Sequence, residues 1–93
     1  MSAVNADSTL SVPDDVVFRD VVGEAMILHL GTGVYFGLDA VATRVWELIV
    51  EGRRVQDVCD AIAAEFDAPA ERIHADVTAL LEQLVAKRLL DVR

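Results

Sequence analysis

At Leu38-Asp39 the apolar pattern of this chain changes period, and that one change limits the folds open to it. Before the junction apolar residues alternate, as strands require; after it they recur every three to four residues, as amphipathic helices require. Three β-rich runs precede it, Val16 to Val22, Glu24 to Leu30 and Val34 to Leu38, separated by Gly23 and by Gly31-Thr32-Gly33. Breaks this short and this rich in glycine join antiparallel strands as hairpins, so the first half predicts a three-stranded meander. In the second run Met26, Leu28 and Leu30 share one face and Ala25, Ile27 and His29 the other. In the third, Val34, Phe36 and Leu38 lie opposite Tyr35 and Gly37. A glycine inside a strand often marks close approach by another backbone.

Beyond the junction, Asp39 is placed to cap a first helix whose inward face is Ala42, Val45, Trp46 and Ile49, with Gly52 as its left-handed stop. Val55, Val58, Cys59, Ile62 and Phe66 keep the same spacing in a second helix that runs up to Asp67. Pro69 opens a third and longest helix with the stripe Ile73, Val77, Leu80, Leu81 and Leu84. Glu71 suits the positive end of its dipole, and Lys87 and Arg88 the negative end. Leu89 to Val92 is expected to return as an extended segment. The expected class is therefore α+β: a three-stranded antiparallel β-meander followed by three α-helices, winged helix-turn-helix-like. It occupies residues 13–93, after a flexible N-terminal arm over residues 1–12, which are small, polar and without period.

Among 93 residues, 54% are hydrophobic, enough for one packed domain and too many for disorder. Eight basic residues against sixteen acidic ones leave a net charge of -8, which opposes contact with nucleic acid or with an anionic membrane. The third helix places Glu71, Asp76 and Glu82 around Arg72 and Lys87, so it makes a poor reader of DNA despite the winged-helix order. No apolar run reaches the length of about 18 residues that a spanning helix needs. No secretory signal opens the chain, and its one cysteine cannot form an internal disulfide, so the cytoplasm is the expected location.

Nothing in the sequence signposts a nucleophile with its base, a carboxylate pair in a cleft or a metal cluster. Cys59 sits on the apolar face of its helix and reads as a small buried hydrophobe. His29 and His74 are isolated from any second ligand at zinc spacing. The expectation is no catalytic residue, no metal and no cofactor. What remains is the third strand, whose edge carries neither lysine nor proline to blunt it. An extended peptide can add there, its backbone giving affinity and its side chains specificity. The alternatives are that Leu89 to Val92 covers the edge, or that a second copy pairs with it as a symmetric dimer.

Gly23-Glu24-Ala25-Met26-Ile27-Leu28, Gly33-Val34-Tyr35-Phe36-Gly37-Leu38-Asp39, Val45-Trp46-Glu47-Leu48, Glu51-Gly52, Ala75-Asp76-Val77 and Leu80-Leu81-Glu82-Gln83-Leu84 together resemble the PqqD-like family. The resemblance covers about Pro13 to Leu90, and it is the combination rather than any one segment that is specific. It implies a recognition element for ribosomally made, post-translationally modified peptides, with the precursor's leader lying as an extra antiparallel strand beside the third strand in a groove walled by the third helix. Carried onto this chain, the peptide-binding residues are Val34, Tyr35, Phe36, Gly37 and Leu38 on the strand, and Ile73, Asp76, Val77, Leu80 and Leu84 on the helix. Asp76 would meet a basic leader residue. Plain core packing is the competing role for the helix residues, Leu81 and Leu84 above all.

The resemblance also implies peptide-modifying enzymes as partners. In the lasso-peptide type, which it favours, these are a transglutaminase-like leader peptidase and an asparagine-synthetase-like cyclase; other relatives serve radical SAM enzymes and the pyrroloquinoline quinone route. The rival reading is an acidic winged-helix adaptor that docks on a protein through its third helix.

Overall fold

The computed structural model describes residues 4–93. Strand β2 (Val16–Val21) pairs antiparallel with β3 (Glu24–His29), Val21 opposite Glu24, so only Val22 and Gly23 form the turn. Both have positive φ, 54° and 81°, the geometry that lets a two-residue loop match the strands' twist. Val22 therefore belongs to the turn rather than to the first strand. Strand β4 (Tyr35–Gly37) pairs antiparallel with β3, Ile27 opposite Phe36, which completes the expected meander in the order β2-β3-β4.

The period change falls where the sequence put it. Helix α1 (Ala40–Val50) begins after Asp39, whose side chain accepts from the Ala42 amide at 2.8 Å, and ends before Gly52 at φ 92°. Helix α2 (Val55–Phe66) stops at Asp67, which itself takes the left-handed conformation. Helix α3 (Ala70–Ala86) follows, with Pro69 just outside its first turn rather than inside it. The helices cover one face of the sheet: Ala25, Ile27 and His29 of β3 are buried there, together with Trp46, Ile49, Val58, Ile62, Leu81 and Leu84. A surface ion pair, Arg44 to Glu65 at 2.9 Å, joins α1 to α2, but its exposure limits what it contributes.

The expected flexible arm over residues 1–12 is corrected from Val4 onward, its first three residues lying outside the described part. Val4 and Leu10 are in the core. Strand β1 (Leu10–Ser11) pairs antiparallel with β5 (Asp91–Val92), Leu10 opposite Val92. The carbonyls of Ala6 and Ser8 accept from the amides of Gln56 and Val55, backbone donors that the first turn of α2 cannot satisfy internally. The segment is thus a helix cap and a strand partner, roles set by sequence-distant contacts that its own composition does not advertise. The tail is extended, as expected, but it covers β1 and not β4.

Candidate functional site

In an antiparallel ladder, alternate residues turn their backbone groups toward the partner strand and away from it. The His29 amide donates to the Val34 carbonyl at 2.9 Å and the Leu38 amide to the Ala25 carbonyl at 2.8 Å, so Val34, Phe36 and Leu38 face β3. Tyr35 and Gly37 consequently point their amides and carbonyls the other way, to a side where no described strand lies. These four groups are a ready template for one further strand. The Tyr35 side chain, 70% exposed, stands beside them.

The helix residues gather a short distance away. Ile73, Asp76, Val77 and Leu80 of α3 line a hollow of about 360 Å³ with Asp39, Val41, Ala42 and Val45 at the start of α1 and Ile62 of α2. Its wall is apolar apart from the two carboxylates. One Asp39 oxygen is committed to the helix cap, and Asp76 faces Arg72 at 3.8 Å, a pair so exposed that it holds neither charge tightly. The hollow can take an aliphatic or aromatic group while its carboxylates meet a cation. Strand and hollow are connected through Leu38-Asp39 and through Phe36, a half-buried ring that lies under the Lys87 ammonium at 5.8 Å, just past the end of α3.

The structure sorts the residues expected at this site. Tyr35 and Gly37 are exposed on the strand and Val34 just before it, Phe36 is half-buried, and Ile73, Asp76, Val77 and Leu80 line the hollow. Leu84 is corrected: at 1% exposure it belongs to the core cluster, one turn beyond the hollow, which it does not line. The Leu38 side chain is likewise inward, so its contribution to the strand edge is through position only. Asp39, Val41, Ala42, Val45 and Ile62 in the hollow, and Lys87 over Phe36, were not expected there. Only Asp39 carried a signal, as the residue that both ends the strand and caps the helix.

Elsewhere, Cys59 is buried, and burial pushes its thiol up from the ordinary value. His29 is held between Asp15 at 3.5 Å and the Thr32 amide, which donates to its Nδ1, so it packs the hairpin's base. Among the described residues no group of three or more His, Cys, Asp or Glu is arranged for a metal, and no helix is long and apolar enough to cross a membrane.

Residues 24–90 match the family described as Coenzyme PQQ synthesis protein D (PqqD). The chain belongs to the PqqD family. Over 52 residues it is 42% identical to the PqqA binding protein of Bradyrhizobium diazoefficiens, a match that covers 56% of this chain and half the length of that relative. Among solved structures, TbiB1 in complex with the TbiA(beta) leader peptide is 41% identical, with a TM-score of 0.83 over 87% of this chain and 94% of that one. The PqqD truncation of PqqCD from Methylobacterium extorquens, a stand-alone recognition element for ribosomally synthesised and post-translationally modified peptides, is 26% identical. Its TM-score is 0.78, over 97% of this chain and 96% of that one. A lasso peptide synthetase B1 complexed with its leader peptide shares the fold at a TM-score of 0.82 over 88% and 96% of the two chains, at 16% identity. The PqqD family's fold of sheet followed by three helices is thus the one found here.

Proposed function

We propose that this chain is a leader-peptide recognition element, which captures a ribosomally synthesised precursor as an added antiparallel strand on β4 and delivers it to tailoring enzymes. The observation that carries this reading is the outward-facing backbone of Tyr35 and Gly37 beside an apolar hollow rimmed by Asp39 and Asp76. A peptide strand would gain ladder hydrogen bonds from the first feature and side-chain selectivity from the second. The similarity to TbiB1, a protein complexed with a leader peptide, supports the same use of the fold.

The chain itself performs no chemistry in this scheme and needs no cofactor. It raises the effective concentration of the precursor at its enzymes. In a lasso-peptide pathway, the route favoured here, these are the transglutaminase-like leader peptidase and the asparagine-synthetase-like cyclase. Asp76 would pair with a basic leader residue, and Ile73, Val77 and Leu80 would hold apolar ones. The cytoplasm, where precursors are made, is the expected place of action.

Fluorescence polarisation of a labelled leader from the neighbouring precursor gene, with a scrambled leader as control, tests the reading. Selective, saturable binding is expected, with backbone amide shifts concentrated at Tyr35 and Gly37. Absence of binding by folded protein would overturn it in favour of an adaptor that docks through α3.

A further inference from the structure

Lys87 is the one lysine of this chain, and despite sixteen acidic residues it makes no ion pair among the described residues. Its ammonium lies instead 5.8 Å from the centroid of the Phe36 ring, within range of a cation–π contact. A base just past a helix ordinarily serves the last carbonyls. Here backbone amides do so: that of Lys87 donates to Gln83 at 3.0 Å, that of Arg88 to Val85 at 3.0 Å and that of Leu89 to Leu84 at 2.9 Å. The helix end therefore does not need the ammonium as a donor, and the group overhangs β4.

The ladder decides what can reach it. Phe36 turns its backbone toward β3, so a residue placed opposite it in a strand added beyond β4 forms a non-hydrogen-bonded pair, the kind whose side chains stand closest. Opposed residues share a face of the sheet, and Phe36 is on the helix face, packed against the core. The side chain of that added residue rises beside the Lys87 ammonium. The residue opposite Leu38 shares the same face and adjoins the hollow with Asp39 and Asp76. In an antiparallel strand it comes two positions earlier. Along the groove the charge thus changes sign, from the carboxylates at the exit of β4 to the ammonium over its middle. Arg88 lines a different hollow, beside Gly31 and Thr32, where Asp15 and Asp91 offset it, so Lys87 alone supplies the second sign.

We infer that Lys87 selects a leader carrying Asp or Glu opposite Phe36, two residues after the one that meets the hollow. The inference rests on the recognition reading and deepens it. The peptide itself shields the new ion pair from water, which strengthens it over an ordinary surface pair. The order of charges also fixes direction. A leader laid the other way brings its carboxylate to Asp39 and Asp76 and its basic residue to Lys87, and both contacts are repulsive.

The test uses the full chain and the labelled leader of the neighbouring precursor gene, with each leader carboxylate replaced in turn by its amide. Lys87→Glu is expected to weaken binding at least tenfold at low salt and Lys87→Arg by less than about threefold, with melting temperatures unchanged. One amide replacement should weaken binding to the unmodified chain and have no effect on Lys87→Gln. A leader with lysine at that position should recover the affinity lost in Lys87→Glu. The coupled carboxylate should follow the leader residue that couples to Leu80→Ala. Normal leader affinity in folded Lys87→Glu, no carboxylate coupled to Lys87, or a coupled carboxylate that precedes the hollow residue would each overturn the inference while leaving strand addition standing. Failure of the unmodified chain to bind any leader would overturn the recognition reading and this inference with it.

Discussion

Thr43 Oγ1 accepts a 2.8 Å hydrogen bond from the amide of Ala25, in the buried seam between α1 and the sheet. The same hydroxyl donates to the Leu38 carbonyl at 3.3 Å. One side chain in the first turn of α1 therefore satisfies a buried donor on β3 and a buried acceptor at the exit of β4, and so holds the end of the candidate peptide edge against the helix that follows it. Thr43→Val, which keeps the shape and removes the hydroxyl, should cost about 1–3 kcal/mol because both backbone groups are left unpaired. Thr43→Ser should recover most of it. Urea denaturation of the three proteins checks this, and equal midpoints would contradict it.

Gly37→Pro removes an amide that points away from β3 and should leave the β3–β4 ladder intact. Leader affinity should fall at least tenfold with little change in melting temperature. Phe36→Pro removes an amide that faces β3 and should unfold the sheet instead. A folded Gly37→Pro protein with normal leader affinity would contradict strand addition at this edge.

Trp46 is 1% exposed and meets the ring of Phe18 edge-on, with centroids 5.3 Å apart, so α1 and β2 are joined through it. Trp46→Ala should destabilise the fold by about 3–5 kcal/mol through the cavity it leaves. Trp46→Phe should cost much less, since the indole nitrogen has no hydrogen-bond partner among the described residues. Thermal melts distinguish the two, and an unchanged midpoint for Trp46→Ala would contradict burial.

Burial raises the Cys59 thiol above its ordinary pKa in the folded state. Between the unfolded value and the raised one, the unfolded chain holds fewer protons than the folded chain, so stability should fall as pH rises through that window. Below it the thiol is protonated in both states and contributes no slope. Cys59→Ala should flatten the dependence above the ordinary thiol pKa, measured by denaturant midpoints, and Cys59 should react with thiol reagents only at the rate of opening.

Much of this architecture was legible in the sequence because its causes are local. The alternation from Val16 to Leu38, the glycine breaks, the Asp39 cap and the Gly52 stop act within a few residues, so strand runs, helix starts and their order follow from reading along the chain. The candidate edge was legible for a related reason: β4 lacks lysine and proline, and a meander's last strand must have one free side unless something distant returns to cover it.

What the sequence alone could not decide depends on contacts between distant segments. That Leu89 to Val92 would be extended was readable, but its pairing with Leu10–Ser11 instead of β4 was not, since two short segments carry no register information of their own. The helical spacing placed Leu80 and Leu84 on one stripe; only the packing of α3 against its neighbours leaves Leu80 at the hollow and Leu84 in the buried core. Period 2 likewise divided β3 into two apolar faces without saying which would be buried. Packing against Trp46 and Ile49 chose the face of Ala25 and Ile27, and so left Met26 and Leu28 on the outside.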